Sequence, residues 1–358
     1  MKKLWVLIAV LSCAATALGA AELSLPKAKR TAHILSIGNA KLFVGYAGGE
    51  LACFDITSGT LQALAKAGGA PIRKLALSPD GSRLAAGDAD GMVWVFDAAS
   101  LKRLAKLKAS SKKNAVSALA YSLDGSYLAA STADDASCVI VFETGQAYKD
   151  YLRFPKLTSK DQAWLASPQG DFAMLQRGFS PLAFTKGGTL LANRYASWLR
   201  EFGVAAGIGK GTVLRDRIQT KGYAGLAYLA GPDALLAITK MKGSLFAYQS
   251  IALDSLEPRE EPRELAIPGE GIELGYDYEY AVSPEGAQVL VNLRKPEGSS
   301  LIISLERGEV AARVPADYLY VAFSPDGKLA AYADKAAKAI VLLDLASGAE
   351  TARVTIER

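Results

Sequence analysis

A four-residue turn recurs along this chain and narrows what it can fold into. Ser78-Pro79-Asp80-Gly81, Ser122-Leu123-Asp124-Gly125, Ser283-Pro284-Glu285-Gly286 and Ser324-Pro325-Asp326-Gly327 are near copies, and Ser167-Pro168-Gln169-Gly170 is a fifth. A short apolar run such as LAL, LAY, YAV or VAF comes before, and most copies are followed by another such as LAA. Pro sets φ at the second turn position, Asp hydrogen-bonds locally and Gly takes the position with φ > 0. Apolar strand, turn, apolar strand is a hairpin.

A third strand follows each hairpin: LACFD (51–55), VWVFD (93–97), VIVFE (139–143), LAFT (182–185), LFAY (245–248), LIISL (301–305) and IVLLD (340–344). These runs are β-branched or aromatic, and Phe54, Phe96, Phe142 and Phe184 take equivalent places. A turn such as ITSG, AAS or LASG leads to a fourth strand: LQALAKA, KRLAKLK, ELAIPG or TARVTIE. The turn glycines Gly81, Gly125, Gly170, Gly286 and Gly327, with equivalents near 39 and 233, recur at a period in the low forties wherever nothing intervenes. That is the period of a four-stranded propeller blade. Two excesses are read as loop insertions, one at 196–222 and one divided between 257–264 and 269–275. An eighth, degenerate blade within 196–222 is the second reading.

The units, above all 72–108 and 319–356, resemble bacterial WD40-type repeats. Over 31–358 the resemblance implies an all-β, seven-bladed β-propeller that serves as a binding platform. The family's Trp-Asp pair appears here as Phe54-Asp55, Phe96-Asp97, Phe142-Glu143 and Leu343-Asp344. Its Gly-His pair is absent, so the hydrogen-bonded tetrad that buttresses many such blades cannot form. The physics stands without the name: one four-stranded sheet has two apolar faces, and stacking sheets around an axis buries both.

Residues 1–20 (MKKLWVLIAVLSCAATALGA) carry a basic start, an apolar run and small residues ending at Ala20. This is the pattern of a signal peptide cleaved before Ala21, with 21–30 a linker or ring-closing strand. Val10-Leu11-Ser12-Cys13 gives a second reading, a lipid anchor on Cys13. Both lead to the periplasm or cell envelope. No later stretch has the 18 or so apolar residues of a membrane span. Lys2 and Lys3 belong to the export segment, and the remaining basic residues nearly balance the 36 acidic ones, which argues against a nucleic-acid partner.

Chemistry is sparse. The one histidine, His33, cannot supply a His triad or a His-rich metal site. Cys53 and Cys138 fall in strand runs on separate repeats and read as buried thiols, since a disulfide needs Cα atoms within about 7 Å. Gly207–Thr212 imitates a phosphate loop, but residue 204 is Val and Lys210 precedes Gly, so it reads as a plain loop. No nucleophile elbow is present. Asp88-Ala89-Asp90-Gly91 and Asp134-Asp135 could offer oxygen ligands to calcium, or simply form turns. Tyr276, Tyr278 and Tyr280 alternate, and would either line the channel mouth or pack between blades. Lys102, Arg103, Lys106, Lys108, Lys112 and Lys113 gather at one outer edge, as a solvated edge strand or a patch for an acidic partner.

The expectation is a non-catalytic platform, without metal or cofactor, that binds another envelope protein or a surface polymer as a monomer. Contact residues are expected in the loops before first strands (Arg73, Asn114, Tyr276, Tyr278, Asp317, Tyr318) and between second and third strands (Asp88, Asp90, Asp134). The alternative is a propeller enzyme, a metal-dependent lactonase-like hydrolase or a quinone-cofactor dehydrogenase.

Overall fold

A computed structural model describes residues 21–24, 32–38, 40–58, 60–110, 113–132, 139–154, 182–194, 198–204, 210, 213–218, 225–275, 280–283, 286–316, 321–324, 326–334 and 339–355. They form seven separate antiparallel sheets. The blades span 32–66, 72–108, 116–153, 182–218, 225–266, 273–314 and 321–355. The first strands of blades one to four touch in succession, and the first strand of blade one (Ala32–Gly38) meets that of blade seven (Val321–Phe323), which closes the ring. Ala21–Ser24 adds to the last strand, Glu350–Thr355, in parallel register, Ala21 opposite Ala352 and Ser24 opposite Thr355. The outer edge of blade seven is thereby covered by the chain itself.

One apolar cluster fills each seam between blades, and one position organises all of them. Opposite the second residue of each second strand, the third strand carries Phe54, Phe96, Phe142, Phe202, Ile251, Ile303 or Leu343. Each of these seven side chains is buried and belongs to the cluster shared with the preceding blade. In blades one, two, three, four, six and seven the ladder to the fourth strand shifts register beside that residue, a β-bulge that bends the outer strand. Bulged outer strands are poor templates for pairing with other chains.

Blade four departs from the sequence reading. The run at 182–185, expected as a third strand, holds its first strand, Leu182–Phe184. The stretch 196–222, expected as an insertion or an eighth blade, contains the third and fourth strands, Trp198–Gly203 and Val213–Ile218. Phe202, not Phe184, is therefore the counterpart of Phe142. The hairpin turn is Thr185–Gly188, where the Thr185 hydroxyl accepts the Thr189 N–H at 3.1 Å and Gly188 has φ of +77°. Thr185 does what Ser does elsewhere, so the chemistry of the turn is kept although its letters are not. The turn expected at Ser167–Gly170 lies outside the described residues.

Candidate functional site

Each blade sends its first–second hairpin and third–fourth turn to one face of the ring, the turn face. The second–third hairpins and the crossings to the next blade lie on the opposite face. On the turn face one hydrogen-bonded frame recurs. The Ser78 hydroxyl donates to Asp80 at 2.5 Å and accepts the Arg83 N–H at 2.9 Å, while Gly81, at φ +70°, turns its N–H to the Ser78 carbonyl. Ser122 with Asp124 and Ser324 with Asp326 repeat these bonds. The hydroxyls of Ser78 and Ser82 hold the Asp80 carboxyl down at about 2. At Asp124 burial pushes upward, but the donors of Ser122 and Ser126 prevail and the carboxyl stays below its ordinary value.

The third–fourth turns have a frame of their own. Asp97 accepts the Ser100 N–H at 2.8 Å and its hydroxyl at 2.6 Å. Asp55 with Ser58 and Asp344 with Ser347 do the same. Blade three breaks the pattern. Glu143 stands where blades one, two and seven have Asp, and three residues on is Gln146 instead of Ser, while blades four, five and six carry Gly203, Ala252 and Ser304 at that place. Residues Thr144–Gln146 form a 3-10 turn without a side-chain cap from Glu143. Among the described residues no hydrogen bond or ion pair engages the Glu143 carboxylate. Thr144 instead locks the turn by donating its hydroxyl to the Gly125 carbonyl at 2.7 Å. Ala147 and Tyr148 follow with φ of +52° and +61°, a costly pair of left-handed non-glycine residues. They carry the Tyr148 ring into the seam with blade two, where Arg83 donates to its hydroxyl at 3.3 Å and lies 5.6 Å from its centroid.

The outcome is a cleft of about 650 Å³ between blades two and three, walled by Ser78, Pro79, Asp80 and Arg83 on one side and by 123–127 and 143–145 on the other. Leu123 replaces the turn proline and stands 47% exposed. Tyr121, on the first strand of blade three, is buried, with Tyr148, Arg83 and Asp80 as electrostatic neighbours. Tyr127 packs on Tyr151 at 5.0 Å, and the Lys210 ammonium sits 3.9 Å from the Tyr151 centroid. Lys210 is the one described residue of the loop that imitates a phosphate site.

The residues singled out from sequence lie elsewhere. Asp134, Tyr276, Tyr278, Asp317 and Tyr318 are outside the described residues, as are Cys138 and Lys112. Arg73, Asp88, Asp90 and Asn114 lie on the opposite face. Arg73 is exposed at the start of a first strand. Asp88 is 2% exposed and fully engaged: one oxygen accepts the N–H groups of Asp90 and Met92 at 2.9 Å, the other the Trp94 indole at 2.8 Å. It supports its own hairpin. Asp90 is exposed at the hairpin tip, and the Asn114 N–H donates to Ser110 at 3.2 Å.

Tyr280 packs between blades five and six and donates its hydroxyl to the Leu226 carbonyl at 2.7 Å. The lysine edge is solvated, with Lys106 and Arg103 over the Trp94 ring at 4.8 and 5.6 Å. Cys53 is a free, buried thiol pushed up to about 11 chiefly by burial. Lys74, on the first strand of blade two, is a half-buried ammonium with its pKa lowered by desolvation. Among the described residues no three His, Cys, Asp or Glu side chains gather as a metal site, and no helix is long and apolar enough to cross a membrane.

The family model for the WD domain, G-beta repeat, matches residues 61–97 and 101–140. The first match runs from the fourth strand of blade one through the third of blade two, so the sequence repeat is one strand out of phase with the blade. No protein of curated function matches. Among solved structures, the chain is similar to hydrazine synthase of Kuenenia stuttgartiensis (TM-score 0.60, 16% identity, 91% of this chain and 95% of that one). It is also similar to a chain of the Mitotic Checkpoint Complex (TM-score 0.59, 13% identity, 85% and 84%) and to the computationally designed Ika8 protein (TM-score 0.56, 15% identity, 95% and 94%). At these identities the likeness is one of fold.

Proposed function

We propose that this propeller with WD40-type repeats is a non-catalytic protein-binding platform, exported to the bacterial cell envelope and acting as a monomer. One observation carries the reading. On a face where each framed blade engages its turn carboxylates internally, blade three leaves Glu143 and Leu123 unengaged beside a formed cleft. A rigid ring supports that cleft, so little ordering cost attends docking. WD40-type propellers serve widely as interaction scaffolds. Export is supported by the basic, apolar and small-residue succession of 1–20, with cleavage before Ala21 or lipidation at Cys13.

Affinity purification of the tagged chain from its native envelope, with mass spectrometry of partners and of the mature N-terminus, tests both parts. A chain beginning at Ala21 or lipidated Cys13, with a partner lost on Glu143→Gln plus Leu123→Ala, is expected. An unprocessed cytoplasmic chain would refute export. An identical partner set from the double variant would refute the cleft as the docking place.

A further inference from the structure

We propose that the cleft between blades two and three receives an arginine side chain with a neighbouring apolar side chain from an extended segment of a partner protein. The inference rests on the platform reading and adds the chemistry of the partner.

Charge comes first. Three carboxylates line the cleft, Asp80, Asp124 and Glu143, against one guanidinium, that of Arg83. Arg83 is turned to the Tyr148 hydroxyl and ring, and it makes no ion pair with any of the three. Beyond residue 20 the basic and acidic residues of the chain nearly balance, so three carboxylates against one guanidinium is a local acidic excess. Asp80 and Asp124 are held in place by serine hydroxyls and backbone N–H groups, with lone pairs left over. Such fixed carboxylate oxygens match the planar, multiply donating guanidinium better than the compact ammonium of lysine.

Shape and apolar surface come second. The volume, about 650 Å³, suits one or two side chains of a segment, not a folded domain. Leu123 on the rim, 47% exposed, offers an apolar contact beside the charges. Its counterparts at this turn position are prolines, Pro79, Pro284 and Pro325.

The test uses the mature chain, 21–358, and fluorescent heptapeptides in which Arg is followed by Leu one, two or three positions later, with Lys-for-Arg and Glu-for-Arg counterparts. Anisotropy should show saturable binding of an Arg peptide, weaker binding with Lys and none with Glu, and a steep loss as salt rises from about 50 to about 300 mM. Glu143→Gln should weaken binding about fivefold, and Leu123→Ala should do so about as much. Equal binding of the Glu peptide, or affinities untouched by both substitutions, would overturn the proposal. So would a self-association in sedimentation that Glu143→Gln abolishes, because a second copy would then be the occupant. A captured partner whose retention depends on the cleft but not on peptide charge would sink this inference alone. A chain with no partner on any face would sink the platform reading.

Discussion

In blade two, Asp97 gives its carboxylate to the N–H and hydroxyl of Ser100; at the same place in blade three, Glu143 faces a cleft and no serine is within reach in the turn. At the hairpin turns, Pro79 is answered by Leu123. At the ends of the second strands, Asp88 is satisfied by Trp94, whereas Thr132 is 1% exposed with its hydroxyl unpaired. The two blades share strands, register and the Phe96 and Phe142 wedges. A repeat fold thus separates its tasks: the shared positions build the ring, and departures from the shared pattern leave side chains free for contact.

Three comparisons sharpen this contrast. The largest effect should be the same in both blades. Phe96→Ala and Phe142→Ala should each cost about 3–5 kcal/mol in denaturant unfolding, as other buried aromatics do. A loss in only one would mean that the two wedges are not equivalent.

The second strand ends should respond oppositely. Asp88→Ala strands the buried Trp94 N–H and should cost about 1–3 kcal/mol, with a shift in tryptophan fluorescence. Thr132→Val removes an unpaired buried hydroxyl and should be neutral or stabilising, by no more than about 1 kcal/mol. Equal losses would show Thr132 to be engaged.

The smallest effect concerns the turns. Asp97→Ala should cost about 1 kcal/mol through its lost hydrogen bonds, and Glu143→Ala should stay within about 0.5 kcal/mol. The folded chain holds the Asp97 carboxyl below its ordinary value, the Ser100 hydroxyl contributing most, and the Asp80 carboxyl at about 2. Between those values and the ordinary range near 4, the unfolded chain binds more protons than the folded one. The stabilisation is therefore full above the ordinary carboxylate range and disappears as pH falls towards 2. A Ser78→Ala, Ser82→Ala chain should lose part of that acid-side slope, and an unchanged slope would contradict the turn frame.

Much of the ring could be read in the chain because it is written in local chemistry. Ser-Pro-Asp-Gly places a hairpin, and apolar runs mark third strands in six of the seven blades, four of them ending in Asp or Glu. Blade four escaped because its turn, Thr185-Lys186-Gly187-Gly188, keeps the hydroxyl and drops the acid, and because Phe202 follows Arg200 and Glu201. The site was less legible. Asp88 resembles a free ligand in sequence, and only the fold brings the Trp94 indole against it. The cleft itself spans two blades, so no spacing announces it. One signal was nonetheless available, the loss of the Asp-x-x-Ser spacing at Glu143 and Gln146.

Writing the blade-two turn into blade three confronts the contrast most directly. A chain carrying Glu143→Asp with Gln146→Ser should recover the turn bonds, unfold no earlier than the original and lose most of its retained envelope partner. Undiminished retention by a chain whose new aspartate and serine are seen bonded to each other would contradict the claim that blade three is set apart for contact.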